Sequence, residues 1–558
     1  MKRYSWRGGA AAALLAVVVA ACAGGVEPGS AVPGRGGSDP LGAENLERLL
    51  RAFAHDTMLG RQPGTEGERK ATAFLAAEVA KLGLVPAGEA GSYFQDVPLV
   101  RRYVDEEATT LRIGGEALEF GADYLPALGF EPVRDFDGVS AIFGGAPGVD
   151  SRRLQVEDVA GRAVVMRLQQ AGGPITNAIR LAARGALAEA AVLVVVGGDE
   201  IPAVAVDALR RGTRPRLPAA ELPEEPTTIL VTRAVAERIF GASLDALEVG
   251  QVGGTVGGRV VYRDTGVSAR NVIAVLPGSD PELRGQYVAL GAHSDHVGTR
   301  RPLDHDSLRA YNTELEALRA RLGRRPTAEE RASIRVNVDS LRAIRPARMD
   351  SVFNGADDDG SGSVSLLAIA QAMAAAETKP RRSILFVWHT AEELGLLGSR
   401  WFTDNPTVPR DSIVAHFNMD MVGRGAEGDI PGGGPTYLQL VGSRRLSTEL
   451  GDLVEEVNAE MELPFDFDYS LDADGHPERI YCRSDHWNYA RWGIPVVFFT
   501  TGLHKDYHQV TDEPDYIDYP HMARVARLVH DVALRVASLD HRVVIDGRVP
   551  EPGEPCRQ

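Results

Sequence analysis

The sequence predicts an α/β fold, in which a mainly parallel, mixed sheet is flanked by helices. Apolar, β-branched runs recur after residue 270, as is typical of strands buried on both faces. Helical stretches separate these runs, and strands that alternate with helices form a mainly parallel sheet. At 558 residues the chain exceeds what one hydrophobic core usually supports, so we expect two or more domains. The predicted strands are NVIAVLPG, YVALGAH, SILFVWHT, IVAHFNMD and IPVVFFTT.

The N-terminus predicts export. Residues 1–21 combine a positive start with the apolar stretch Ala10–Ala21, which is too short to span a bilayer and indicates a signal peptide. The run VAAC resembles a bacterial lipobox, in which Cys22 would be lipidated; an ordinary signal peptide cut nearby is the alternative. Residues 22–40 are rich in Gly, Pro and Ser and are expected to form a flexible linker. We therefore expect a lipoprotein of the bacterial cell envelope, anchored to a membrane through Cys22.

The body divides into three parts and a tail. Residues 41–100 begin with apolar residues at helical spacing. In residues 101–259, short β-rich runs alternate with glycine-rich turns, which predicts a β-rich insert. Residues 260–540 carry the α/β pattern, and residues 541–558 form a C-terminal tail. The strands predicted in the insert are Thr110–Ile113, Ala163–Leu168, Ala191–Val196 and Thr228–Val231.

Composition and charge exclude some partners. Apolar residues make up 44% of the chain and charged residues 25%, which is ordinary for a globular protein. The net charge of -17 argues against nucleic acid, because phosphate binding needs faces rich in Lys and Arg. An acidic surface favours cationic ligands, such as the ammonium of a peptide N-terminus. Cys482 and Cys556 could pair in an oxidising compartment, but the sequence leaves this open.

Histidine and carboxylate side chains gather where the predicted strands end, which is where sheets of this kind bind ligands. Two imidazoles and three carboxylates are a ligand set for a pair of zinc ions. A further carboxylate, Glu392, would serve as the general base. The predicted ligands are His293, Asp358, Glu393, Asp420 and His508.

Each candidate also has a purely structural interpretation. The aspartates of GADDDGSG could favour the start of the following helix through its dipole, and the paired glutamates could be a solvated turn. The two histidines compete with His296, His486 and His504. Asp420 is harder to explain in this way, because it follows a buried strand and a buried carboxylate needs a partner or a metal.

Zinc chemistry accounts for the residue types. Two zinc ions about 3.5–4 Å apart need one bridging carboxylate and separate ligands for each ion. An unligated carboxylate beside them can then carry a proton from the attacking water to the leaving nitrogen. Ligand histidines are commonly oriented by a neighbouring carboxylate, and Asp295, two residues after His293, is suited to that role.

At these residues the chain resembles the di-zinc aminopeptidase family, which includes bacterial secreted aminopeptidases, glutamate carboxypeptidase II and the transferrin receptor. The resemblance covers about residues 41–100 and 271–537, and it implies the zinc aminopeptidase/phosphorylase-like fold. The pattern of residues 101–259 resembles a protease-associated domain. The motifs that carry the resemblance are GAHSDH, NGADDDGSG, HTAEELGLLGS, NMDMVG, RSDH and DYHQVTD.

The resemblance also implies how the ligands are divided. His293 and Asp420 would hold one zinc ion, and Glu393 and His508 would hold the other. Asp358 would bridge the two ions.

The remaining site residues receive roles by the same resemblance. Glu392 would be the general base and acid, and Tyr507 would stabilise the oxyanion. His486 is not expected to bind metal, and residues 483–486 would form a wall of the substrate pocket.

Residues 299–349 depart from the compact members of the family, which have a short loop there. The spacing of Leu308, Leu315 and Leu322 predicts one helix that ends at Gly323, and a capping box at Thr327 predicts a second. We interpret this segment as a helical hairpin. It could be a lid over the site, a dimer contact or a decoration.

The predicted function is a two-zinc exopeptidase, an aminopeptidase that acts on peptides with a free N-terminus. The first alternative is a carboxypeptidase of the same family, which would need arginines to bind a substrate carboxylate. The second is a non-catalytic binding or receptor-like protein, in which ligands are usually lost. The sequence gives no indication of the oligomeric state.

Overall fold

A mixed 16-stranded sheet runs through the chain, and its second half carries the strands predicted from the sequence. The α/β prediction is confirmed. The computed structural model describes residues 39–127, 129, 131–146, 154–167, 185–218, 226–430 and 432–558. The predicted signal peptide, Cys22, most of the linker and Leu168 lie outside the described residues. In this half the strand order is Asp466–Asp468, Tyr437–Val441, Val496–Thr500, Ile413–Met419, Tyr287–His293, Ser383–His389 and Val252–Leu276.

The centre of this sheet is parallel. Tyr287–His293 pairs in parallel with Ser383–His389 on one side and Ile413–Met419 on the other. Val496–Thr500 continues the parallel ladder, whereas Tyr437–Val441 and Val252–Leu276 pair antiparallel with their neighbours. The carboxyl ends of the four parallel strands therefore lie at one edge of the sheet.

Both faces of this sheet are buried by helices. Alternate residues of one strand enter different cores: Val288 and Leu290 pack in one hydrophobic cluster and Ala289 in the other. Burial on both faces explains why these strands read as continuous apolar runs. The first face is covered by Ala43–Phe53, Glu66–Lys81, Gly362–Ala375, Thr448–Ala459 and Tyr519–Ala537, and the second by Leu397–Asp404 and His486–Ala490.

The long strand Val252–Leu276 connects the β-rich insert to the main sheet. Its first half pairs with Val133–Gly145 and Thr110–Ile113, and its second half pairs with Phe94–Val104 and Ser383–His389. The insert therefore adjoins the α/β part through continuous backbone pairing.

The described part of the insert has its own parallel ladder and its own apolar clusters. The likeness to a protease-associated domain stays a prediction. The strands are Phe94–Val104, Thr110–Ile113, Glu116–Ala117, Tyr124–Pro126, Val133–Gly145, Ala163–Arg167, Val192–Gly198 and Thr227–Thr232, and the helices are Val156–Val159, Ala203–Arg210 and Arg233–Phe240.

The segment 299–349 begins with a strand and a long helix. Thr299–Asp304 pairs antiparallel with Met349–Val352, which closes the base of the segment. The helix His305–Leu322 ends at Gly323, whose φ of 60° is the left-handed conformation that glycine adopts without strain. The Thr327 capping box is present, but it starts only the short helix Ala328–Ala332.

A third helix, Val338–Ile344, follows a break. The second predicted helix is thus divided in two. Its apolar residues are largely exposed: Ile344 retains 80% of its accessible surface and Val338 retains 43%. Little burial is available there to stabilise one continuous helix.

A disulfide joins Cys482 to Cys556. It links the C-terminal tail to the short turn Ile480–Cys482, which precedes the RSDH motif. The C-terminal Gln558 reinforces this link, because its side chain accepts a hydrogen bond from Tyr481 N and donates one to Leu471 O. Among the described residues, no helix is both long enough and apolar enough to cross a bilayer.

Replacing Cys556 with Ser should lower the free energy of unfolding by about 2–5 kcal/mol, because the bridge closes a long loop in the unfolded chain. Chemical denaturation with and without reductant measures the difference. Reductant should destabilise the wild type and leave the variant unchanged. A wild type that is insensitive to reductant would contradict the pairing.

Candidate metal centre

The predicted site residues converge at the carboxyl edge of the parallel strands. His293 is the last residue of its strand, and Asp420 directly follows Ile413–Met419. Glu392 and Glu393 lie just beyond Ser383–His389, and His508 lies in the loop after Val496–Thr500. Residues more than two hundred positions apart in the sequence thereby meet in one place.

Their side chains form two groups. Within each group, the donor atoms lie within 4.8 Å of one another. The first group is His293, Asp358 and Asp420, and the second is His296, Asp358, Glu393 and His508. Asp358 belongs to both. This is the division that the resemblance implies, with His296 added.

The two oxygens of Asp358 face different groups. Its Oδ1 lies 3.2 Å from His293 Nε2, and its Oδ2 lies 3.0 Å from His508 Nε2. His508 Nε2 is also 3.0 Å from Glu393 Oε2, and His293 Nε2 is 3.6 Å from Asp420 Oδ1. A carboxylate shared in this way is suited to bridging two cations.

The donor atoms also fit a metal because several of them have no other partner. Among the described residues, His293 Nε2, Asp358 Oδ2 and Glu393 Oε1 are buried and make no hydrogen bond. Buried polar atoms are normally satisfied, so nitrogen and oxygen atoms that face one point without a partner fit a cation-binding site. Imidazole and carboxylate donors without any thiolate suit zinc and neighbouring divalent metals.

The loop that carries Asp358 is fixed by its neighbours. The carboxylate of Asp357 accepts a hydrogen bond from Gly423 N, and that of Asp359 accepts from His293 N and Gly362 N. Only the middle aspartate of the three points to the metal groups. The flanking carboxylates join this loop to the ends of the two neighbouring strands.

Asp295 holds the glutamate loop and also faces the histidine ring. Its carboxylate accepts hydrogen bonds from Glu392 N (3.1 Å) and Glu393 N (3.3 Å). His293 Nδ1 lies 3.1 Å from the backbone oxygen of Asp295 and 3.6 Å from its carboxylate. The carboxylate therefore places the two glutamates, and its predicted role in orienting the ring stays a prediction.

Glu392 lies beside the first group but belongs to neither. Its Oε2 lies 3.9 Å from His293 Nε2, and the side chain is 12% exposed. Burial raises the pKa of Glu392 well above its ordinary value, and the charges of Asp420 and Glu393 add to the effect against the opposing charge of His293. A carboxyl group in this position can take up and hold a proton.

A cleft opens beside these residues. Asp358, Glu392 and Asp420 line one part of it, and Ser484 donates a 2.7 Å hydrogen bond to Asp420 Oδ2. The rest of the lining is mainly apolar, with Arg483, Thr500 and Tyr507 as polar members. The apolar residues are Met421, Leu471, Ile480, Phe498 and Leu503.

His486 does not reach this cleft. It is fully buried, stacks on Phe498 at 4.7 Å, and burial lowers its pKa to about 3. Within RSDH it is Arg483 and Ser484 that line the cleft.

Sequence reasoning missed two residues of the centre. His296 was weighed only as a competitor of the chosen histidines. Arg61, from the N-terminal segment, is completely buried and donates hydrogen bonds to the backbone oxygens of Ser294, Asn354 and Gly355. It holds two metal-site loops together, and no local motif marks it.

Residues 271–533 match a model of Peptidase family M28. The match covers just under half of the chain. Leucine aminopeptidase 1 of Uncinocarpus reesii is 30% identical over 210 residues, covering 36% of this chain and 49% of the relative. The corresponding enzyme of Aspergillus fumigatus is 28% identical over 210 residues, covering 36% and 50%. The chain thus spans about half the length of these curated relatives.

Two solved structures are similar to this chain at lower sequence identity than these relatives. An aminopeptidase from Aneurinibacillus sp. strain AM-1 has a TM-score of 0.46 and 18% identity, covering 93% of this chain and 98% of that one. A zinc aminopeptidase from Bacillus subtilis, BSAP, has a TM-score of 0.46 and 15% identity, covering 91% and 99%. The similarity to peptidase family M28 therefore rests on the family model.

Zinc affinity should rise with pH. Burial opposes the protonated form of His508, but Asp358 and Glu393 outweigh it and raise its pKa to about 10. Burial likewise opposes protonation of His293, yet Asp420 and Glu392 raise its pKa well above the ordinary value. Both rings of the metal-free protein are thus protonated at neutral pH, and zinc must displace those protons.

Zinc titration against a competing chelator at about pH 6 and about pH 8 measures this effect, with tighter binding expected at the higher pH. Calorimetry in buffers of different ionisation enthalpy should show proton release. Equal affinity at both pH values would contradict the protonation of these ligands.

Proposed function

We propose that the chain is a two-zinc aminopeptidase that removes N-terminal residues from peptides with a free N-terminus. The observation that carries this proposal is the position of Asp358 between two donor groups, beside a carboxylate, Glu392, that belongs to neither. All five predicted ligands are present and meet in space. A binding protein without catalysis would not need them, so this favours an enzyme.

Each residue of the site has a proposed role in binding zinc or in transferring a proton. His293 and Asp420 would hold one zinc ion, Glu393 and His508 the other, and Asp358 both. Zinc bound here would polarise the scissile carbonyl and lower the pKa of a water molecule. Glu392 accepts the proton of the attacking water and delivers it to the leaving amine. Its burial and raised pKa suit both steps.

Tyr507 is placed to stabilise the oxyanion. It lines the cleft, and its ring stacks on His508 with the centroids 4.0 Å apart. Burial raises its pKa above the ordinary value, so the phenol keeps its proton and can donate a hydrogen bond. This role is a proposal that the resemblance first suggested.

The cleft favours an aminopeptidase with a preference for apolar N-terminal residues. Its apolar lining suits a leucine-like side chain, in agreement with the names of the relatives. Glu392 or Asp420 would attract the substrate ammonium. A carboxypeptidase needs a free cation in the pocket, but Arg483 is already paired with Glu478 at 3.3 Å.

Replacing Glu392 with Gln should lower kcat by about 10²–10⁴-fold while zinc content stays unchanged, because the proton carrier is lost but no ligand is. The assay compares an unblocked leucyl anilide with its N-acetylated form. The wild type should cleave only the unblocked substrate. Cleavage of the acetylated form, or a fully active variant, would contradict the proposal.

The segment 299–349 is proposed to limit the length of the substrate. Arg325, near its tip, is paired with Glu478 at 2.5 Å, and Glu478 also contacts the cleft residue Arg483. Arg483 Nη2 in turn lies 3.5 Å from the Tyr507 hydroxyl. The segment thus reaches the wall of the cleft, which supports a lid rather than a decoration.

Deleting Leu303–Arg345 should raise kcat/KM for longer peptides relative to dipeptides. The variant Arg325→Ala should shift this ratio in the same direction by at most about fivefold, because the ion pair is exposed. Arg319→Ala is the matched control, since Arg319 pairs with Glu316 on its own helix. An unchanged length preference in the folded deletion variant would exclude the lid.

Export and lipid anchoring at Cys22 remain proposals. The disulfide supports an oxidising compartment, because such bonds are rare in the cytosol. Cell fractionation, with a Cys22→Ala variant as the control, tests the anchor.

A further inference from the structure

We propose that His296 is a further protein ligand of the metal ion that Glu393 and His508 would hold. This inference rests on the proposed two-zinc function and adds a residue to the ligand set. The metal position on that side would then have two imidazoles, and the position of His293 and Asp420 would have one.

Distance and burial place His296 among the ligands. Its Nδ1 lies 2.8 Å from Glu393 Oε1 and 3.7 Å from Asp358 Oδ2. Its ring meets that of His508 edge to face, with the centroids 5.5 Å apart. The side chain has no exposed surface. One cation could contact the donor atoms of all four residues, since these lie within 4.8 Å of one another.

The surroundings of Nδ1 are those of a metal ligand. This nitrogen lies 2.8 Å from Glu393 Oε1, and Glu393 Oε1 and Asp358 Oδ2 are buried and make no hydrogen bond among the described residues. A cation beside Nδ1 would be shared by the imidazole and both carboxylates, which are the donor types that zinc prefers.

The surrounding backbone fixes the ring in this position. A Cβ at Gly355 would lie 2.5 Å from His296 Cγ, so the ring packs directly on the backbone of the loop that carries Asp358. The main-chain N–H of His296 donates to Arg61 O, and the Arg61 guanidinium donates to the oxygen of Gly355. A ring held this way keeps its direction before the metal arrives, as a ligand should.

The extra imidazole makes the two positions chemically unequal. Imidazole favours zinc and the later transition metals, whereas carboxylates suit manganese and magnesium. The position with His296 and His508 should therefore bind the first zinc ion. The position with His293 and Asp420 should exchange its metal more readily.

The decisive experiment is a crystal structure of the full chain loaded with two equivalents of zinc, with the metals located by anomalous scattering. We expect one zinc about 2.0–2.1 Å from His296 Nδ1. Zinc at both positions, with His296 hydrogen-bonded to Glu393 and out of coordination range, would overturn this inference alone. Absence of zinc from both positions would overturn the proposed function as well.

A zinc-binding measurement also tests whether His296 is a ligand. In zinc titrations against a chelator, His296→Gln should weaken the tighter site by at least about tenfold and leave the weaker site unchanged. His305→Gln is the control, because His305 is equally buried but packs on Arg348 and Tyr516, outside the metal groups. Unchanged affinity of the tighter site in His296→Gln would overturn the inference.

Discussion

Negative charge buried at one edge of the sheet is the constraint on which this structure depends. Asp295, Asp357, Asp358 and Asp359 are each no more than 3% exposed, and Glu392 and Glu393 lie beside them. An unpaired buried carboxylate is costly, so each needs amide donors, a cation or a proton. The structure provides amides for some of these groups, and it leaves Asp358 and Glu393 facing histidines.

The buried carboxylates have two different roles in the metal centre. Carboxylates that accept backbone amides, such as Asp359 and Asp295, hold the strand-end loops in register. The other carboxylates, Asp358 and Glu393, then face the metal position from loops that these hydrogen bonds already hold. Arg61 adds three hydrogen bonds to the same loops from a distant segment. The N-terminal segment is thus part of the centre, although it provides no donor to it.

Two additional segments lie near the metal centre. In the helical segment 299–349, Arg325 pairs with Glu478, which also pairs with the cleft residue Arg483. The β-rich insert contacts the glutamate loop through Arg214, which donates to Glu393 O. The disulfide joins the C-terminal tail to Cys482, next to Arg483. Parts of the chain that carry no proposed catalytic residue therefore lie close to the cleft.

The sequence by itself determined the α/β class, the parallel strands and the gathering of acidic and histidine residues beyond the ends of those strands. These follow from local patterns, because a strand buried on both faces must be apolar and its chemistry must lie beyond its end. Only the tertiary structure decided which aspartate of GADDDGSG faces the metal groups and that Asp295 holds the glutamate loop. It also showed that His296 and Arg61 lie at the metal centre. Those assignments depend on the direction of side chains from remote segments, and no spacing along one chain encodes that direction.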